Sequence, residues 1–217
     1  MSGLSSRYRA SGADRPFGDF RPAHGVAMEG YFWRFTQPES DRTLIALCGV
    51  NTAPDGQRWA TIGLAAHPNR FLRTSAHPDA WDSADALEVS AGSAFRADAQ
   101  EVHLDLGPDA RLDVRVTEPV PWPRRAFGAS GLFHSIPALN QYWSPWLLGG
   151  RATGSATVGD ETWDLDGAQV YTEKNWGREG FPDSWWWGQA QGFAEPTSCV
   201  AFAGGIVSAG PLKTEVT

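Results

Sequence analysis

Cysteine and methionine are scarce in these 217 residues, with two of each. Cys48 and Cys199 lie far apart and belong to no CxxC or Cys/His cluster. The expectation is a reduced, cytoplasmic chain with two packed thiols. The five histidines (His24, His67, His77, His103 and His134) show no metal-ligand spacing, so no metal site is expected. Positive charge is short as well: 18 Lys and Arg stand against 25 Asp and Glu, a net charge of −7. Without a basic stripe, nucleic acid is excluded as a partner. No apolar run approaches the roughly 20 residues of a membrane-spanning helix. The polar stretch from Met1 to Asp14 lacks the apolar core of a signal peptide. GxGxxG, the Walker loop and the GxSxG elbow are absent, which removes the usual anchors of nucleotide cofactors and serine hydrolysis. No cofactor is expected.

Aromatic residues, by contrast, are abundant: 11 Trp and 11 Phe. Such a content fits a bulky β core first, and a ligand pocket or sugar platform second. Fifteen prolines and 24 glycines punctuate short alternating segments. Met28 to Phe35 puts Tyr31, Trp33 and Phe35 on one face, and Leu44, Ala46, Cys48 and Val50 line the next run. Val102–Leu106 and Leu112–Val116 read as a hairpin through Gly107-Pro108-Asp109. Arg151–Val158 and Glu161–Leu165 read as another, through Gly159-Asp160. The segments His77–Asp85 and Glu118–Ser130 read as loops, the second because Pro119, Pro121 and Pro123 do not suit a central strand. The fold class is therefore all-β, in barrels or sandwiches. Three regions are expected: an irregular segment over 1–25, a first β region over 26–120 and a second over 121–217.

The second region is dense in unusual residues. Gly131-Leu132-Phe133-His134-Ser135-Ile136-Pro137 is followed by Asn140-Gln141-Tyr142-Trp143. Then come Tyr171-Thr172-Glu173-Lys174-Asn175-Trp176-Gly177, Phe181-Pro182 and Trp185-Trp186-Trp187-Gly188-Gln189. This ordered set resembles the tocopherol cyclase family, in a bacterial form, from about Gly131 to Gln191. The resemblance implies lipocalin-like β-barrels, as in carotenoid hydratases, with the second barrel incomplete and the family's C-terminal part lacking. It also implies closure of a chromanol ring on a prenylated quinol. The implied partner is a lipophilic small molecule, with a peripheral membrane contact as a route for its pickup. Oligomeric state is left open.

The implied chemistry needs an acid for a trisubstituted alkene, a phenol oxygen close to the cation, and exclusion of water. On a strand, Gln169, Tyr171, Glu173 and Asn175 share one face while Thr172, Lys174 and Trp176 share the other. Glu173 is the candidate acid, with Tyr171 and Asn175 orienting it. A carboxylate that only ties the barrel together is the competing assignment. Tyr142, Trp176, Trp185, Trp187, Gln189 and His134 are the candidate substrate-binding residues, although core filling serves the tryptophans as well. Lys174 reads as structural. The chain departs from the plant pattern at Asn140, Trp143 and Asn175, where acidic or proton-carrying residues are expected. Leu212–Thr217 reads as a strand without a partner. A non-catalytic carrier of a lipophilic ligand is therefore the alternative function, and a carbohydrate-binding β-sandwich a third.

Overall fold

The fold is described from a computed structural model, over residues 3, 27–83, 86–123, 129, 133, 139–178 and 183–216. The strands are β1 (Met28–Gln37), β2 (Arg42–Thr52), β3 (Arg58–His67), β4 (Phe71–His77) and β5 (Ala80–Asp82). They continue as β6 (Glu88–Ala91), β7 (Phe95–Asp98), β8 (Glu101–Asp105), β9 (Ala110–Pro121) and β10 (Tyr142–Val158). The last five are β11 (Glu161–Asp164), β12 (Gln169–Gly177), β13 (Trp185–Ala190), β14 (Val200–Ala209) and β15 (Leu212–Val216). The protein is all-β, as the alternation predicts.

Twelve strands form one antiparallel sheet in the order β4-β3-β2-β1-β12-β10-β9-β8-β7-β6-β5, with β11 paired to β10. Two meanders, β1 to β4 and β5 to β9, are thus joined through β10 and β12. The sheet rolls until β5 and β6 meet β2 and β3, giving a nearly closed, lipocalin-like barrel. Across this seam the Asp82 carboxylate accepts from Arg58 on β3 and from the Tyr31 hydroxyl on β1. Strands from both sides of residue 120 share this sheet, since β9 pairs β10 and β1 pairs β12.

The interior is filled with side chains. Tyr31, Trp33 and Phe35 alternate inward from β1 and are each 1% exposed, as the period of two requires. Trp33 packs on Phe95 from the opposite wall at 5.6 Å between centroids. Both predicted hairpins are present, with Leu104 opposite Leu112 and Val158 opposite Glu161.

Three local expectations are corrected. The expected loop at His77–Asp85 contains β5, a short edge strand. The strand β9 runs through Pro119 to Pro121 rather than stopping at Thr117. Its partner β10 is bulged there, with register shifts on both sides of Gly149, so a residue without an N–H costs the ladder little. The terminal strand has a partner after all: β15 pairs β14 from Ala209–Leu212 to Gly205–Val216. Together β13, β14 and β15 make a separate three-stranded sheet.

Candidate functional site

Strand pairing decides what each face of β12 sees. Tyr31 lies opposite Lys174 and Trp33 opposite Thr172, so Thr172, Lys174 and Trp176 point into the barrel. Phe32 lies opposite Glu173 and Arg34 opposite Tyr171, so Tyr171, Glu173 and Asn175 point out of it. The three-stranded sheet covers this outer face. Trp187 packs edge-on against Phe32 at 6.0 Å, against Tyr171 at 5.4 Å, and beneath the Arg34 guanidinium at 5.9 Å. β12 and the Trp185–Gln189 segment belong to different sheets and do not pair strand to strand. The two segments meet face to face instead.

Glu173 organises the interface. Its Oε2 accepts from Trp143 Nε1 at 2.6 Å, the Tyr171 hydroxyl at 2.6 Å and Trp187 Nε1 at 2.9 Å. Its Oε1 accepts from Asn175 Nδ2 at 3.0 Å. The side chain is 9% exposed, so these four donors replace most of its hydration. Burial, and then the adjacent Glu173 charge, push the Tyr171 phenol well above its ordinary value. Tyr171 therefore stays a donor. The Asn175 amide is adaptable: turning it about its last torsion would offer Oδ1 to a proton on Glu173 Oε1. Glu173 can thus be accommodated with or without its proton while Oε2 keeps its three donors.

Beside this cluster lies a cavity of about 140 Å³ between the barrel's outer face and the small sheet. Tyr142, Trp143, Trp185, Trp186, Trp187 and Val207 are among the residues of its wall, and Gln141, Glu173 and Asn175 bring polar side chains to it. Trp185 is 54% exposed and marks the mouth. The volume is close to the ~150 Å³ cavity known to hold benzene, so one aromatic ring fits and a long tail must leave through the mouth.

The expected site residues therefore separate. Glu173, Tyr171, Asn175 and Trp187 come together, and Trp185 and Tyr142 join them at the cavity wall. Burial raises the Tyr142 phenol to about 12, and its oxygen accepts from the Leu139 N–H. Trp176 lies on the barrel side, stacked on Tyr142 at 5.6 Å and away from the cavity. Gln189 donates to the Leu148 carbonyl at 3.2 Å and so fastens β13 to β10. Gln191, just beyond β13, donates to the Val170 carbonyl at 2.9 Å and accepts from the Gly150 N–H at 3.3 Å. His134 lies outside the described residues.

Two of the departures acquire roles. Asn140 ties β10 to β14 through both its side chain and its backbone, each bonded to Ser208. Trp143 donates to Glu173, a contact that sequence reasoning missed. The alternation in Gln141-Tyr142-Trp143 separates Trp143 from Tyr142. The pairing of Trp143 with Asn175, which aims it at Glu173, is set by tertiary register.

Lys174 is structural, as expected, in a fully buried ion pair. Its Nζ lies 2.5 Å from Glu29 Oε2 and 4.9 Å from the centre of the Tyr31 ring. Among the described residues no group of three or more His, Cys, Asp or Glu is arranged for a metal ion. No helix among them is long and apolar enough to cross a membrane.

Fold and site define a class: an all-β barrel protein with an aromatic-walled pocket on its outer face, organised around one carboxylate. The tocopherol cyclase-like family model matches residues 106–213, and through that segment the chain belongs to this family. It is 34% identical over 87 residues to the rice (Oryza sativa subsp. japonica) protein "Probable tocopherol cyclase, chloroplastic". It is 30% identical over 84 residues to the chloroplastic tocopherol cyclase of Zea mays. These stretches cover 39% and 38% of this chain but 18% of each relative. A crystal structure from Nitrosomonas europaea, provisionally named AttH, superposes over 92% of this chain and 70% of its own with a TM-score of 0.46 and 11% identity.

Proposed function

We propose that the outer-face pocket binds the aromatic head of a prenylated quinol and that Glu173 promotes its closure to a chromanol. The observation that carries this is a buried carboxyl with four donors in the wall of a ring-sized aromatic cavity. In this scheme Glu173 Oε1 gives its proton to the alkene, leaving a tertiary cation. The phenol oxygen attacks the cation, the C–O bond forms, and the phenol proton returns to Glu173. Product and substrate are isomers. The indole faces of Trp143 and Trp187 favour the transient cation, and the covering sheet restricts water. Asn175 Oδ1 accepts a hydrogen bond from the Glu173 carboxyl O–H in one state, and Asn175 Nδ2 donates to the carboxylate in the other.

A carrier without catalysis is the second reading. It is favoured by the saturation of Glu173 Oε2, whose three donors suit a permanently ionised, structural carboxylate. Incubation with phytyl and geranylgeranyl benzoquinols decides between the two. A product of unchanged mass with altered chromatographic retention supports cyclisation. Saturable binding with quantitative recovery of the quinol supports the carrier.

A further inference from the structure

Among the described residues, Gln141 is a polar group of the cavity wall that the proposed chemistry leaves unused. It shares the outward face with Trp143, two positions along the chain, and lines the same cavity. Both its Nε2 and its Oε1 are buried, and neither has a hydrogen-bond partner among the described residues. A carboxamide carries two donors and an acceptor, and burying them unpaired is unfavourable enough that native structures rarely tolerate it. Its surroundings explain why it does not turn away: Oε1 would lie 3.0 Å from a Cβ at Gly177, so the amide rests against the backbone at the end of β12. Other polar groups of the wall are already paired: Glu173 and Asn175 bond each other, Glu173 accepts from Trp143, Tyr171 and Trp187, and the Tyr142 hydroxyl accepts from the Leu139 N–H.

We infer that Gln141 is a specificity-determining residue that binds a second ring oxygen of the ligand, opposite the one facing Glu173. The inference rests on the aromatic-head reading of the pocket. A hydroxyl matches the carboxamide in both senses, since it accepts from Nε2 and donates to Oε1. The pocket therefore distinguishes dihydroxylated rings from monohydroxylated rings of equal bulk, because a site with unpaired polar groups disfavours the analogue that cannot satisfy them.

Quenching of tryptophan fluorescence by trimethylhydroquinone and by trimethylphenol, under reducing conditions, tests this. The wild-type protein should bind the hydroquinone about tenfold more tightly, the worth of one good hydrogen bond. Gln141→Leu should remove that preference by weakening the hydroquinone alone. It should also raise the melting temperature of the ligand-free protein, because two unpaired polar atoms are removed; a structural Gln141 predicts a fall. Gln141→Met provides the same comparison if the branched side chain folds poorly. Equal binding of both probes by the wild-type protein, or an unchanged preference in Gln141→Leu and Gln141→Met, overturns the role of Gln141 and leaves the aromatic-head reading intact. Failure of the wild-type protein to bind either probe sinks that reading and this inference together.

Discussion

Replacing Glu173 by Gln and by Leu separates the chemical from the structural contribution of its carboxyl. In Glu173→Gln the amide oxygen can occupy the Oε2 position and keep Trp143, Tyr171 and Trp187 as donors, while its NH2 meets a turned Asn175. Where the carboxyl is ionised, three bonds lose their charge-assisted part, but a buried charge is removed as well. These effects oppose each other, and the net change should stay within about 1 kcal/mol. For a chain of this size that is a melting shift of less than ~4 °C. Glu173→Leu differs. The Tyr171 hydroxyl and the Asn175 amide can reorient, but the two indole N–H groups are fixed by their rings. Each unpaired N–H costs about 1–3 kcal/mol, so roughly 2–6 kcal/mol is lost. Thermal unfolding, quinol affinity and product formation should be measured on one preparation of each variant. Glu173→Gln is expected to fold and bind within a few-fold of the wild-type protein while product formation disappears. A Leu variant as stable as the Gln variant would refute the hydrogen-bond hub. Full turnover by Glu173→Gln would reject Glu173 as the acid.

Lys174→Met removes the ammonium from a carboxylate at the buried end of the barrel, and denaturant unfolding should report a loss of about 3–5 kcal/mol; a loss below ~1 kcal/mol would contradict the pairing with Glu29. Alkaline titration should leave three of the four tyrosines protonated while the fold persists, because burial raises Tyr31, Tyr142 and Tyr171 above their ordinary value. For Tyr142 the folded chain holds its proton up to about 12 while the unfolded chain releases it near 10.0, so stability present below pH 10.0 is lost as pH rises through that interval. More than one phenolate by absorbance in a protein with a native circular-dichroism spectrum would refute this. Gly177→Ala drives a Cβ into the Asn140 carbonyl oxygen and against Gln141 Oε1, so it should lower the melting temperature by several degrees, about 1 kcal/mol or more; an unchanged midpoint would show that β10 and β12 can separate there at no cost.

The sequence by itself determined the local layer of this protein. Period two in Met28–Phe35 put Tyr31, Trp33 and Phe35 together, and the same period in Gln169–Trp176 separated Glu173 from Lys174. Both divisions hold, because successive side chains of any strand point to opposite faces whatever the strand pairs with. The turns at Gly107-Pro108-Asp109 and Gly159-Asp160 were legible for a similar reason, since their chemistry is confined to a few neighbouring residues. Which face looked inward was not legible, for alternation names two faces without labelling them. Only the pairing of β12 between β1 and β10 sent Lys174 and Trp176 into the barrel and turned Glu173 outward. The candidate site depended on the same kind of information. Trp143 reaches Glu173 across 30 positions of sequence, and Glu29 reaches Lys174 across 145. Gln189 fastens two sheets through the Leu148 carbonyl. Such contacts arise from register and sheet packing, which are long-range choices made by the whole core, and no short window of residues carries them.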